Sequence, residues 1–133
     1  MIAATELRLV LVTPETTLLD QSVRSVRLPL FDGSMGLLPG RAPVVGRLGR
    51  GELKFEAGGT SKSFFVDGGF IQVKGSVVTL LTNRAVAVED IDEAAAMRAL
   101  DVASSMPTKN DQQHAAKAAA EEAARKMLKL KRG

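Results

Sequence analysis

Phosphate binding is the first chemistry that this sequence suggests, because glycine-rich loops can hold phosphate on their backbone amides. Two segments are rich enough in glycine, Gly33–Gly40 and Gly46–Gly51. Neither is expected to run from a strand into a helix, and neither ends in the Gly-Lys-Ser/Thr of a phosphate loop. We therefore predict that both segments form turns and hold no cofactor.

Side chains that could support catalysis are few and isolated. Ser104 and Ser105 have no neighbouring base to activate them as nucleophiles. Asp90 and Asp92 form a carboxylate pair, but helix capping explains them more simply, and His114 is the single histidine and is expected to be solvated. Cysteine is absent, which excludes thiol nucleophiles and thiolate zinc sites. We predict a protein that is not an enzyme and that holds no metal.

Positive charge gathers at the C-terminal end, although the net charge is only +3. Such a run is either a solvated helix face or a docking surface for an acidic protein partner. Nucleic acid is not an expected partner, because the chain has no Trp or Tyr to stack on bases and carries Glu121 and Glu122 on the same element. The basic residues of this run are Arg125, Lys126, Lys129, Lys131 and Arg132.

Glycine and alanine divide the sequence into two parts. All but one of the 12 glycines lie between Gly33 and Gly75, whereas alanine dominates from Ile91 to Arg132. Glycine supplies turns with positive φ, and alanine is the best intrinsic helix former. We therefore predict a β-domain over residues 1–88 and an α-helical arm over residues 89–133.

Short apolar runs between turn signals predict strands in the first part. Leucines and valines occupy all positions of Leu7–Val12 except Arg8, and turn signals recur at about every 8–12 residues, a pattern typical of a β-sandwich or barrel. Gly49–Gly51 and Gly68–Gly69 are interpreted as two of these turns. No run approaches the roughly 20 apolar residues of a membrane-spanning helix. The N-terminal segment is typical of a strand and not of a signal peptide, so we expect no membrane insertion.

Capping and stop signals predict two helices in the arm. Asp90, with Glu93 three residues later, has the character of a capping box, and Pro107 is expected to end the first helix near Ser105. Asp111 is the expected N-cap of the second helix. Because the apolar stripe of that helix is mostly methyl groups, a hairpin folded on the β-domain and an arm only marginally docked both stay open. The stripe consists of Ala116, Ala119 or Ala120, Ala123, Met127 and Leu130.

The stretch Asp32–Pro43, DGSMGLLPGRAP, resembles the signature of the epsilon subunit of F-type ATP synthases. In that family a G-x-x-G-x-x-P-G-H-A-P loop follows a strand with V-x-L-P, and here Val26–Pro29 reads VRLP. Further similarities to the family follow in the expected order, so that the resemblance covers nearly the whole chain. They lie at Thr13–Glu15, Gly51–Leu53, Asp67–Val73, Val78–Leu80 and Glu89–Met97.

This resemblance implies a flattened antiparallel β-sandwich of about ten strands, followed by a C-terminal two-helix antiparallel hairpin. It implies a non-catalytic rotor subunit that binds the gamma subunit and the c-subunit ring and couples proton translocation to ATP synthesis. It also implies that the arm contacts the catalytic beta and alpha subunits and inhibits ATP hydrolysis. The expected location is peripheral, on the cytoplasmic face of the bacterial inner membrane.

The resemblance also assigns two groups of site residues. A loop facing the c ring and gamma carries Arg41 where the family has histidine, and Ser34 where an acidic residue is frequent. Contact with the c ring is therefore expected without the usual charge pairing. The loop residues are Asp32, Gly33, Ser34, Met35, Gly36 and Arg41. The residues expected to dock on acidic segments of the catalytic subunits are Lys117, Arg125, Lys126 and Lys129.

An ATP-binding motif of some bacterial members, I-D-x-x-R-A, is degenerate in this chain. Ile91 and Asp92 match it, but Ala95 stands at the arginine position and Arg98 lies nearly one turn away. Without a fixed cation to neutralise phosphate, we predict no physiologically useful ATP binding and no cofactor. The competing hypothesis for the whole chain is a free-standing β-sandwich adaptor whose basic tail binds another acidic protein.

Overall fold

The computed structural model describes residues 6–39 and 44–133. Two compact units divide between Ala85 and Val86. This division and the predicted boundary after residue 88 both fall in the short segment that contains the last strand and a single 3-10 turn, Val88–Asp90.

Eight strands form one mixed sheet, with seven of them in the order β2-β1-β7-β6-β5-β3-β4. All neighbours along this order are antiparallel except β1 and β7, which run parallel. The predicted β-sandwich followed by two helices is confirmed, but with eight described strands, not about ten, and one parallel pair. The strands are β1 (Leu7–Val12), β2 (Thr17–Val23), β3 (Ser25–Leu30), β4 (Gly33–Leu37), β5 (Val44–Ala57), β6 (Thr60–Lys74), β7 (Val77–Leu81) and β8 (Ala85–Ala87).

Two long strands carry the sheet from one layer of the sandwich into the other. β5 has 14 residues and β6 has 15, and they pair around the Gly58–Gly59 turn. The predicted turns at Gly49–Gly51 and Gly68–Gly69 are therefore wrong. The ladder is interrupted where Gly49 and Gly68 lie opposite each other and then resumes, because glycine lets a strand bend without ending it.

The apolar core of the sandwich receives side chains from both halves of these long strands. Phe55 and Leu53 come from one half of β5, and Leu48 comes from the other half. In β1 the alternation of buried and more exposed positions follows the two-residue period of a strand, so that the leucines point inward and Arg8 points out. The largest fully buried side chains of this core also include Leu7, Leu9, Leu11, Leu28, Leu37, Ile71 and Leu80.

The second unit is an antiparallel helical hairpin of α1 (Glu93–Ser104) and α2 (Asp111–Arg132). Glu93, at the start of α1, accepts a hydrogen bond from Arg132 at the end of α2. Ser104, at the end of α1, donates to Glu121. α1 therefore lies beside the second half of α2. In the described part of the chain, no helix is long and apolar enough to cross a membrane.

Two details of the predicted hairpin are wrong. Asp92, not Asp90, caps α1, and Asn110, not Asp111, caps α2 through a hydrogen bond from the Gln113 amide. The predicted stripe on α2 is correct at Ala123 and Met127 but wrong at Ala116. Ala116 is exposed because α1 does not reach the first half of α2, whereas Ala123, Ala124, Met127 and Leu128 are buried.

Candidate functional site

Four of the residues predicted to face the c ring lie in the second strand of a β-hairpin and not in a loop, namely Gly33, Ser34, Met35 and Gly36. β4 pairs with β3 through Leu30 and Gly33, Leu28 and Met35, and Arg27 and Gly36. This pairing satisfies the backbone groups of a glycine-rich segment that local propensity alone would leave irregular. The turn of the hairpin is at Phe31 and Asp32.

The candidate residues of this hairpin differ in exposure. Asp32, Gly33, Ser34 and Gly36 are exposed, so the tip and outer edge of the hairpin are accessible. Met35 is half-buried and packs against the sandwich core, which gives it a structural role. The sixth residue of the predicted set, Arg41, lies outside the described residues.

The basic residues predicted to dock on an acidic partner do not form one surface. Arg125, Lys126 and Lys129 lie on the face of α2 away from its buried residues. Lys117 lies on the other side, seven residues before the buried Ala124, and is itself half-buried.

Two of these cations already have partners on their own helix. Arg125 Nη2 lies 3.4 Å from Glu121 Oε2, and Lys126 Nζ lies 3.3 Å from Glu122 Oε1. Both pairs have the i, i+4 spacing that stabilises isolated helices by about 0.2–0.5 kcal/mol. An acidic protein would therefore compete with weak local pairs for these side chains.

The residues of the degenerate ATP motif are used by the helix itself. Asp92 Oδ1 accepts hydrogen bonds from the amides of Ala94 at 3.0 Å and Ala95 at 3.3 Å. Ile91 is buried, with 4% of its surface exposed. Ala95 is exposed and brings no cation to the motif. Within residues 6–39 and 44–133, no group of three or more His, Cys, Asp or Glu residues could hold a metal ion.

Two groups of ion pairs connect neighbouring strands of the sandwich. Arg8 donates from Nε to Asp20 Oδ1 at 2.8 Å and from Nη2 to Asp20 Oδ2 at 2.7 Å, across β1 and β2. These hydrogen bonds from Arg8 hold the pKa of the Asp20 carboxyl below its ordinary value. Asp67 on β6 lies 2.6 Å from Arg50 on β5 and 3.7 Å from Arg84, which follows β7.

A row of largely apolar side chains on the outer face of the sheet, exposed except for the half-buried Val12, was not predicted from the sequence. Arg47, Phe70, Leu81 and Val12 are direct cross-strand neighbours on β5, β6, β7 and β1. Phe31 extends the set beyond Arg47, whose carbonyl accepts a hydrogen bond from the Phe31 amide at 2.9 Å. We call Phe31, Arg47, Phe70, Leu81 and Val12 the apolar row. The only signal for it was the two-residue alternation of β5 and β6, which does not say which face is exposed.

The exposure of the apolar row is large for its residue types. The exposed fraction is 67% for Phe31, 60% for Phe70 and 51% for Leu81. Arg47 lies over the ring of Phe31, with its guanidinium carbon 4.4 Å from the ring centroid. The row therefore combines an apolar surface with one stacked cation.

The sequence comparisons with known proteins agree on one family. The profile described as "ATP synthase, Delta/Epsilon chain, beta-sandwich domain" matches residues 6–88. The ATP synthase epsilon chain of Rhodopirellula baltica is 44% identical over 126 residues, which are 95% of this chain and 98% of that one. The ATP synthase epsilon chain of a Synechococcus strain is 39% identical over 103 residues, covering 77% of this chain and 75% of its own.

Solved structures show the same fold. A chain in the cryo-EM structure of the Euglena gracilis mitochondrial ATP synthase, OSCP/F1/c-ring, superposes with a TM-score of 0.83 and 25% identity over 96% of this chain and 82% of that one. A chain in the central stalk/c-ring structure of the Tetrahymena thermophila mitochondrial ATP synthase gives a TM-score of 0.67 at 12% identity, covering 98% and 99%. The sequence matches and the shared fold together show that this chain belongs to the ATP synthase delta/epsilon chain family.

Proposed function

We propose that this chain is an epsilon-type subunit in the central stalk of an F-type ATP synthase, without catalytic activity of its own. The observation that carries this proposal is the end-to-end match to the Rhodopirellula baltica epsilon chain, which includes both the sandwich and the helical hairpin. The similar Euglena gracilis chain comes from an assembly described as OSCP/F1/c-ring, and the Tetrahymena thermophila chain from a central stalk/c-ring. In this role the subunit helps to couple proton translocation to ATP synthesis.

The partners of the sandwich in this proposal are the gamma subunit and the c ring. The β3–β4 hairpin offers Asp32, Gly33, Ser34 and Gly36 at an exposed tip and edge. Since Ser34 is uncharged, its contribution to c-ring contact is a hydrogen bond and not an ion pair. Arg41 belongs to the same proposed surface by its position in the sequence. The complex would hold the subunit at the cytoplasmic face of the bacterial inner membrane.

The helical hairpin in this proposal inhibits ATP hydrolysis by docking on acidic segments of the catalytic subunits. Arg125, Lys126 and Lys129 support it, because they share the face of α2 that is turned away from α1. Lys117 lies on a different face and no longer belongs with these three. Docking would exchange the Glu121 and Glu122 partners of Arg125 and Lys126 for acidic groups of the catalytic subunits.

Truncation of the chain after Asp90 tests the proposal in a strain that lacks the native gene. We expect the truncated chain to co-purify with the gamma subunit and the ATPase activity of the assembled complex to rise. A matched pair of full-length variants gives a finer test. Arg125→Glu, Lys126→Glu and Lys129→Glu together should raise hydrolysis as the truncation does, whereas Lys117→Glu should leave it near the full-length value.

Two results would contradict the proposal at different levels. Unchanged hydrolysis after truncation would remove the inhibitory role and leave the stalk role intact. Failure of the full-length chain to co-purify with gamma would remove the stalk role and favour the adaptor hypothesis.

A further inference from the structure

We propose that the apolar row is a docking surface for a protein partner that presents apolar side chains around a single carboxylate, and that this carboxylate pairs with Arg47. The inference rests on the proposed function in one respect, since the partner is taken to be another subunit of the same stalk.

The first argument is the contiguity of the apolar row. Isolated exposed apolar residues are normal on protein surfaces, whereas contiguous groups of them mark interaction sites. Arg47, Phe70, Leu81 and Val12 occupy four adjacent strands in register. At a strand spacing of about 4.8 Å they extend over roughly 15 Å, which suits the centre of a protein interface.

The second argument is the neighbourhood of the row. Val45, two residues before Arg47 on the same face of β5, is 81% exposed and widens the apolar surface. A cavity of about 470 Å³ opens beside the row, lined in part by Arg47, Phe70, Leu81 and Pro14. Buried anchors of interfaces occupy such depressions, and this one is large enough for an apolar side chain of the partner.

The third argument concerns the charge of the Arg47 guanidinium. In the described ranges its guanidinium forms no ion pair, whereas Arg8, Arg50 and Arg84 each pair with an aspartate. Stacking on Phe31 leaves its N–H groups free of any carboxylate. Covering the row without a counter-charge would bury an unpaired cation at high cost. The partner surface must therefore bring an acceptor, and a carboxylate matches the planar fork of arginine with two hydrogen bonds.

A second copy of this chain fits the row less well than such a partner. A two-fold symmetric pairing would place the same surface on both sides. The row contains no acidic residue, so each Arg47 would be buried against apolar groups or against the other Arg47. The chemistry of the row therefore favours a different protein chain.

Binding to F1 complex purified from a strain that lacks this subunit tests the inference, with full-length chain titrated at fixed ionic strength. Arg47→Glu and Phe70→Ser should each weaken binding by about 30-fold, the effect expected of an interface hot spot. Arg47→Lys should fall between these variants and the native chain, because it keeps the charge but loses the planar stack on Phe31.

A matched control comes from the same sandwich. Lys54→Glu reverses an exposed charge on β5 outside the row. It should change the dissociation constant by less than about threefold, as expected of a residue outside a hot spot. Unchanged thermal unfolding of all variants would show that the sandwich is intact.

The outcomes separate the inference from the proposed function. If the native chain binds and Arg47→Glu and Phe70→Ser bind equally well, the inference is overturned and the stalk role stands. Native chain that does not bind the depleted F1 complex would overturn the proposed function and with it this choice of partner. Concentration-dependent dimerisation of the isolated chain that is lost in Phe70→Ser would assign the row to a second copy and overturn the inference.

Discussion

The carboxylate of Asp92 accepts a hydrogen bond from the backbone amide of Ala94 at 3.0 Å, which makes Asp92 the N-cap of α1. The same oxygen accepts from Ala95 at 3.3 Å. These bonds satisfy two of the amides that a helix leaves unpaired at its start. Asp92 therefore bears on two predictions, one on the stability of the hairpin and one on nucleotide binding.

Replacing Asp92 with alanine should destabilise the hairpin by about 1 kcal/mol, because the helix loses its cap. The amides of Ala94 and Ala95 should then exchange with solvent faster, which hydrogen exchange followed by NMR would detect. Asp90→Ala is the matched control, since Asp90 is not the cap. Equal protection losses in the two variants would contradict the assignment of the cap.

ATP should not bind this chain at physiological concentration. The Asp92 carboxylate is engaged by the backbone, and Ala95 supplies no cation for a phosphate group. Isothermal titration of the full chain with ATP should show no sub-millimolar binding. Restoring the family cation with Ala95→Arg gives a positive comparison. Sub-millimolar affinity in the native chain that disappears in Asp92→Asn, which retains a capping side chain, would refute the prediction.

Local composition was sufficient to predict the two-part architecture. The alanines from Ala94 onward favour helix by intrinsic propensity alone. Pro107 ends the first helix by local geometry, regardless of how the two helices pack. The caps were displaced by one or two residues because Asp90 and Asp92, like Asn110 and Asp111, carry equivalent capping chemistry. Only the backbone path decides between such neighbours.

Features that depend on strand pairing were not predicted. Gly33 and Gly36 have low strand propensity, and only their pairing with β3 makes β4 a strand. Phe31 and Arg47 are distant in sequence and meet because β3 is antiparallel to β5. The apolar row is therefore a product of register, which a single sequence without pairing information does not contain.

As the pH is lowered, the Arg8–Asp20 pair should be lost at a pH below the ordinary pKa of an aspartate. Arg8 lowers the pKa of Asp20 in the folded chain by hydrogen bonding to its charged form. The stabilising effect of the pair is therefore fully present above the unfolded-state pKa and is lost as the pH falls through the lower folded-state value.

The carboxyl-carbon NMR titration of Asp20 measures this effect directly. In Arg8→Gln the titration midpoint of Asp20 should rise toward its ordinary value. Added salt should act in the same direction but more weakly, because the two side chains are exposed and the interaction is screened. A midpoint that is identical in the native chain and in Arg8→Gln would contradict the assigned cause.

Replacing Gly69 with alanine should destabilise the sandwich more than the same change at Gly68, the other glycine of β6. Gly69 has a φ of +118°, and a Cβ added there would overlap the carbonyl oxygen of Leu81. The backbone cannot shift freely, since the buried Thr82 hydroxyl donates to the neighbouring Gly68 carbonyl at 2.6 Å. Backbone strain of about 1–2 kcal/mol and overpacking of about 1–3 kcal/mol together predict a loss of about 3 kcal/mol.

Gly58→Ala separates the two causes of that loss. Gly58 also has positive φ, at +59°, but a Cβ added there meets no atom within 4 Å. It should therefore show only the backbone strain of about 1–2 kcal/mol. Urea unfolding of the two variants, compared with the native chain, measures both losses, and an equal loss in each would mean that Leu81 yields to the added methyl group. A larger loss in Gly69→Ala would show that the bend in β6 needs glycine for space as well as for conformation.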